Sequence, residues 1–140
     1  MTLINLWILP IETVSEGNSS EHWTKKSKRH KSHDKWLMFA FSNKGVKLLS
    51  DSKIKIKWIR VASRKLDEGD NLPMAFKYCR DMLSGLLIPG KARGQADSDP
   101  RIVWEYGQMT PKEAKQTYDF QFPRGIVVEF YDLSCEHSHT

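Results

Sequence analysis

The chain has 140 residues, 39% of them hydrophobic and 28% charged, and its formal net charge is +5. This length fits one domain, which we place at residues 1–134, and five Trp and six Phe argue against wholesale disorder. Two cysteines exclude a disulfide framework and a zinc ligand set, and no segment approaches the roughly 20 apolar residues of a membrane span, so we expect a cytoplasmic protein.

The first two elements follow from local composition. Residues 2–9 are apolar and end at Pro10, which predicts a strand. A polar loop follows, in which Ser19 or Ser20 can cap a helix over residues 21–41. This helix is basic in its first half and apolar in its second.

The next segment, residues 53–61, alternates at first between apolar and basic side chains. That period of two predicts a half-buried strand. The alternation slips at Ile59, where we expect a bulge or the end of the strand. The apolar face carries Ile54, Ile56 and Trp58, and the basic face carries Lys53, Lys55 and Lys57.

A second helix is predicted by helical spacing of apolar residues. Asp70 or Asn71 can cap it, Pro73 falls in its first turn, and Pro89 with Gly90 ends it. One apolar stripe comprises Leu72, Ala75, Phe76, Cys79, Met82, Leu83 and Leu86.

The C-terminal third predicts a strand at 101–108, a short helix at 110–117 and a last strand at 125–131, before a disordered tail at 135–140. Helices and strands therefore alternate along the chain. This order predicts an α+β fold with a mixed β-sheet and two main helices.

Two acidic groups flank the second helix. Asp67, Glu68 and Asp70 precede it, and Asp97 and Asp99 follow it. If the strands on either side are neighbours, we expect these carboxylates to meet at one edge and hold Mg²⁺, or Mn²⁺, which prefers oxygen ligands. The alternative is that Asp70 and Asn71 only cap the helix while Asp97 and Asp99 occupy a turn.

Basic residues form two rows that suit a polyanionic partner, since neutralised phosphates release counterions. The alternatives are a solvated helix for the first row and protection of an edge strand for the second. The first row is Lys25, Lys26, Lys28, Arg29 and Lys31, and the second is Lys53, Lys55 and Lys57.

Lys77 and Asp81 are four residues apart on the second predicted helix. They can form a surface ion pair, or Lys77 can lie near a scissile phosphate and stabilise its charge.

Other chemical motifs are missing from the sequence. The three histidines of the basic segment 22–33, His22, His30 and His33, lack convincing metal spacing. The sequence contains no phosphate-binding glycine loop, no Gly-x-Ser-x-Gly elbow and no signal of a Cys-His pair.

Taken together, these motifs resemble the RusA family of Holliday junction resolvases, phage and prophage endonucleases, over most of the chain. The resemblance rests on residues 8–10 (Ile-Leu-Pro), 70–72 (Asp-Asn-Leu), Lys77 with Arg80-Asp81, and 97–101 leading into 103–106.

The resemblance implies a RusA-like homodimer that binds four-way DNA junctions and nicks two strands symmetrically with Mg²⁺. It implies metal ligation by Asp70, by Asp99 and by either Asp67 or Glu68, with Lys77 assisting. The family spacing Asp-x-Asp-Asn places Glu68 at the first position, and Asp67 fits only with Gly69 as an extra residue.

We therefore expect an endodeoxyribonuclease that acts in DNA recombination and repair. Asp70 and Asp99 would hold the metal, which would activate a water molecule, and Lys77 would stabilise the developing charge. The alternatives are a non-catalytic DNA-junction or duplex-binding protein of prophage origin, and a prophage interaction protein with no nucleic-acid role.

Overall fold

The computed structural model describes residues 1–14, 23–48, 51–90 and 95–133. The predicted caps Ser19 and Ser20, the start of the first helix and the tail lie outside these ranges. The strands are β1 (Thr2–Leu9), β2 (Ile54–Val61), β3 (Ile102–Met109) and β4 (Gly125–Asp132); the α-helices are α1 (Trp23–Asn43), α2 (Asn71–Ala75), α3 (Lys77–Leu87) and α4 (Pro111–Tyr118). A short 3₁₀ helix, Ala96–Ser98, precedes β3.

The four strands form one mixed sheet in the order β1-β4-β2-β3. β4 is antiparallel to both of its neighbours, whereas β2 and β3 are parallel. A parallel pair needs a crossover, and α2 and α3 provide it. The α+β class with a mixed sheet is thus confirmed. Among the described residues, no helix is both long and apolar enough to cross a bilayer.

Both faces of the sheet are covered, which explains the slip in the β2 pattern. Ile54, Ile56 and Trp58 belong to the main core with α1 and α3, while Ile59 and Val61 pack in a second cluster with α4. The pairing of β2 runs without a register shift from Ile54 to Val61. The bulge or strand end expected at Ile59 was therefore wrong: the side chain is apolar because that face is also buried.

The second predicted helix is in fact two helices. The two helices are separated at Phe76, a turn residue with φ of −102° and ψ of 0° between α2 and α3. Pro73 lacks an N–H, and its carbonyl accepts a hydrogen bond from the Phe76 N–H at 3.1 Å. Asp70, one of the two predicted caps, does occupy the N-cap position of α2, but its side chain makes no capping hydrogen bond.

The short helix α4 begins as its sequence indicates. Thr110 is the N-cap, Pro111 occupies the first turn, and the Thr110 hydroxyl accepts a hydrogen bond from the Glu113 N–H at 3.2 Å. The Glu113 carboxylate in turn accepts from the Thr110 N–H at 3.0 Å, which completes a capping box. The local side-chain chemistry thus marks where this helix starts.

Gly125 begins β4 where no side chain can be accommodated. A Cβ atom there would overlap the carbonyl oxygen of Leu9 and lie 2.9 Å from Cζ of Phe120. We expect Gly125→Ala to lower the free energy of unfolding by about 1–3 kcal/mol, the usual cost of overpacking. Urea denaturation measures the difference.

The matched control is Gly85→Ala in the interior of α3, where nothing lies within 4 Å of the added methyl. Because alanine favours helix, this variant should gain roughly 0.5–1 kcal/mol. Equal stability of the two variants would contradict the close approach at Gly125.

Candidate active site

The acidic residues that follow β2 are solvent-exposed. Asp67, Glu68 and Asp70 all lie at the surface, and a carboxylate oxygen of Asp67 accepts a hydrogen bond from the Asp70 N–H at 3.1 Å. The preceding residue, Leu66, exchanges two hydrogen bonds of 2.9 Å with the side-chain amide of Gln108. The acidic turn is thereby tied to the end of β3.

The second acidic group is attached to β3 at a different point. The indole N–H of Trp104 donates to the backbone carbonyl of Asp97 at 2.7 Å. Trp104 and Gln108 are four residues apart, roughly 13 Å along a strand. The first acidic group follows the end of β2, and the second precedes the start of β3. Because these two strands are parallel, the two groups lie at opposite ends of the strand pair. The expectation that both groups meet at one edge was therefore wrong.

Asp99 is buried at 7% exposure and held by arginine. One carboxylate oxygen accepts from the backbone N–H and the Nε–H of Arg101, both at 3.0 Å, and the other accepts from Nη2 at 3.0 Å. These hydrogen bonds raise the pKa of Arg101. Both oxygens of this predicted ligand thus contact the guanidinium, which a metal ion would have to displace.

Asp97 instead meets a carboxylate that the metal prediction did not include. The carboxyl groups of Asp81, on α3, and Asp97 are close enough to share a hydrogen bond when one of them is protonated, and Arg80 Nε lies 3.3 Å from the carboxylate of Asp97. Burial raises the pKa of Asp81, and the negative charge of Asp97 raises it further, whereas Arg80 and Lys77 oppose the rise. Two carboxylates in contact attract either a shared proton or a cation.

Arg80 is positioned by aromatic residues of β3. Its Nη1 donates to the Tyr106 hydroxyl at 2.6 Å, and its guanidinium carbon lies 5.9 Å from the centre of the Trp104 ring. The ring of Phe76 stacks against Tyr106 at a centroid distance of 6.0 Å. The break between α2 and α3 and the start of β3 therefore set the direction in which Arg80 reaches Asp97.

Lys77 is exposed at the first position of α3, four residues before Asp81, and its charge acts on that carboxylate. The site thus combines Lys77 and Arg80 with a carboxylate pair. In the described ranges, no group of three or more His, Cys, Asp or Glu residues is arranged to hold a metal ion. The ligand set predicted from the sequence stays a prediction.

The basic residues of α1 are mostly exposed: Lys25, Lys26, Lys28 and Lys31 are at the surface, and Arg29 is half-buried. They remain accessible to a polyanion.

The basic row of β2 lies on the other face of the sheet from the carboxylate pair. Lys53 is exposed, whereas Lys55 Nζ and Lys57 Nζ lie 3.0 and 3.6 Å from the carboxylate of Glu105. Since Ile54, Ile56 and Trp58 face α3, the alternating lysines face away from it. This row therefore does not face the carboxylate pair, and Glu105 already neutralises part of its charge.

This ion pair makes stability depend on pH. The hydrogen bond from Lys55 lowers the pKa of Glu105. The carboxylate therefore stabilises the fold above its unfolded-state pKa of about 4.3, and this contribution is lost as the pH falls through the lowered value. Because Glu105 is partly exposed, Glu105→Gln should cost at most about 1 kcal/mol at pH 7.

Urea denaturation at pH 7 and below pH 3 measures this effect, and the difference between wild type and Glu105→Gln should disappear at the lower pH. Glu68→Gln, at an exposed position, is the control and should match wild type at pH 7. A pH-independent difference at Glu105 would argue against the ion pair as its cause.

The structure also brings together a cysteine and a histidine that are 46 residues apart in sequence. Sγ of Cys79 lies 3.5 Å from Nδ1 of His33, and Nε2 of His33 donates to the carbonyl of Glu12 at 2.8 Å. The sequence carried no signal of this pair, because nothing local relates the two positions. At 0% and 2% exposure, neither side chain is within reach of a macromolecular substrate.

Comparison with protein-family models, with curated proteins and with solved structures finds no match. The contacts described above are therefore the basis for assigning a function.

Proposed function

We propose that this protein is a Mg²⁺-dependent, structure-selective endonuclease that resolves Holliday junctions by paired symmetric nicks, in DNA recombination and repair. The single observation that supports it most is the contact between Asp81 and Asp97 beside Arg80 and Lys77. Carboxylates next to cations on a chain of net charge +5 are the groups that phosphodiester hydrolysis needs.

The chemistry of this pair fits a hard divalent cation. Mg²⁺ is usually bound by one or two carboxylates, with water and substrate phosphate completing its coordination. Two carboxylates in contact repel each other when both are ionised, and a cation between them would relieve that repulsion. When bound, Mg²⁺ would lower the pKa of a water molecule and polarise a phosphate. Asp97 and Asp81 are the residues that would hold it.

The two cations have separate roles in this proposal. Lys77 is exposed and can reach a phosphate oxygen of the substrate, where its charge stabilises the transition state. Arg80 is a positioning residue, because Tyr106 and Trp104 hold it against the Asp97 carboxylate. The arrangement of Arg80 and Asp97 would thus depend on β3 as well as on α3.

The acidic turn and Asp99 remain in the proposal as residues to be tested. The exposed carboxylate of Asp70 makes no capping hydrogen bond and is available to a ligand, with Asp67 or Glu68 beside it. Asp99 would contribute only if Arg101 moved away. DNA would contact the basic residues of α1, and a homodimer in the cytoplasm would present two equivalent sites to the two nicked strands.

One observation favours a second function, a non-catalytic protein that binds DNA junctions or duplexes. In the part of the chain that the structure describes, no three acidic or metal-binding side chains converge. In this case the exposed basic residues of α1 would provide the binding, and the carboxylates would only stabilise the fold.

A cleavage assay on a synthetic four-way junction separates the two functions. The nuclease should cut the junction with Mg²⁺ or Mn²⁺ and not with a chelator, and Asp70→Asn tests the acidic turn in the same assay. Asp51→Asn, in an exposed turn, is the matched control and should cut like wild type. Junction binding without cleavage in either metal would reject the nuclease in favour of the binding protein.

A further inference from the structure

A cavity of about 450 Å³ opens where three segments of the chain meet, away from the carboxylate pair. The end of β2 and the residues after it form one wall, and the start of β4 forms another. Residues 11–14, which leave β1, close the third side. Three arginines line this cavity: Arg60, Arg64 and Arg124.

Arg60 is the most informative of them. It is half-buried, and its Nε is buried with no hydrogen-bond partner. Nη1 donates to the backbone carbonyl of Arg64 at 2.5 Å. Burial lowers the pKa of Arg60, and no carboxylate among the described residues offsets that effect. A half-buried guanidinium with an unpartnered Nε and no ionic partner suits a negatively charged ligand, which would offset the cost of its partial burial.

The other groups at the cavity strengthen its positive charge. Arg64 and Arg124 are exposed, and the lining includes the hydroxyl side chains of Ser63 and Thr13. Glu12 is the acidic residue of the lining and lies 3.7 Å from Arg124 Nη1. Three arginines against one glutamate leave an excess of two positive charges.

The cavity also adjoins a second basic depression. Glu12 and Val14 line both, and the second one is lined as well by Lys25, Lys28 and Arg29 of α1. A DNA strand, whose backbone carries regularly spaced phosphates, could therefore contact both cavities across the segment that separates them.

We propose that the Arg60 cavity is an oxyanion site that binds a phosphate group. Arginine suits this ligand because its planar fork donates two parallel hydrogen bonds to phosphate oxygens. The same chemistry is offered by the phosphodiester backbone of DNA and by free phosphate. The site goes beyond the proposed function, since binding here requires neither cleavage nor a metal ion.

Binding of the full chain to two probes, inorganic phosphate and a short DNA duplex, tests this site. Isothermal titration calorimetry in Mg²⁺-free buffer should detect binding of at least one probe. Arg60→Gln, which keeps a polar side chain without the charge, should weaken that binding about tenfold, the lower end of the range for one charged hydrogen bond. For DNA, the slope of log affinity against log salt concentration should become shallower by about 0.9, the value for one phosphate contact.

Lys112→Gln is the matched control, because this exposed lysine of α4 lies outside the lining and its loss changes the net charge equally. It should bind both probes as wild type does. Binding of duplex alone identifies a backbone phosphate as the ligand, and binding of inorganic phosphate identifies a site for a free oxyanion.

Unchanged affinity of Arg60→Gln, or no binding of either probe by wild type, would overturn the proposal. If Arg60→Gln does not fold, the double variant Arg64→Gln with Arg124→Gln replaces it, since both side chains are exposed. Unchanged affinity of that variant has the same meaning. Failure of junction cleavage by wild type leaves this test intact, because the readout is binding without metal.

Discussion

Asp97→Asn should reduce the rate of junction cleavage by roughly 100-fold or more, the scale of a lost electrostatic contact to the reacting charge. Asparagine preserves the size of the side chain but removes the charge that meets Asp81 and Arg80. The backbone carbonyl of Asp97 would still accept from Trp104. Cleavage rates under saturating Mg²⁺ measure the effect, and circular dichroism verifies that the variant is folded.

A second readout of the same variant does not depend on activity. A cation that binds the folded state raises the melting temperature by mass action. Millimolar Mg²⁺ should therefore raise the Tm of wild type and leave that of Asp97→Asn unchanged, while the control Asp51→Asn responds like wild type. An equal response of Asp97→Asn and wild type would place the metal elsewhere, for which Asp70→Asn is the next variant.

Phe76→Ala should cost about 3–5 kcal/mol of unfolding free energy, as expected for a fully buried aromatic residue. Phe76 is 0% exposed, and its ring lies 5.5 Å from Trp58 and 6.0 Å from Tyr106, measured between centroids. The site joins the sheet to both crossover helices, so the surrounding side chains cannot simply close over the cavity. Such a loss is a large part of the roughly 5–15 kcal/mol that stabilises a domain.

Guanidinium denaturation measures this loss, and Phe39→Ala is the matched control. Phe39 is 60% exposed on α1, so its truncation should leave stability almost unchanged. If the two variants unfolded at the same midpoint, Phe76 would not be the centre of the core. Because Phe76 also supports Tyr106 and hence Arg80, its loss should weaken the candidate active site too.

The strands and most helices could be predicted because their signals are local. Alternation identified β2, Pro10 marked the end of β1, and the Thr110-Pro111 start identified α4. A side chain that caps its own helix or alternates along its own strand needs no distant partner. Predictions that depended on contacts between residues far apart in the sequence were less accurate. Ile59 interrupted the pattern only because α4 covers the second face of the sheet.

The carboxylates show the same division most clearly. Two acidic groups that flank an amphipathic helical segment on a basic chain are visible in the printed residues, because composition and spacing are properties of the chain. Which of these carboxylates meet depends on how the strands and helices pack. The parallel pairing of β2 and β3 places the two groups at opposite ends of these strands, and the contact of α3 with the 3₁₀ helix Ala96–Ser98 brings Asp81 to Asp97. Strand direction and helix orientation arise from long-range burial, which no local pattern encodes.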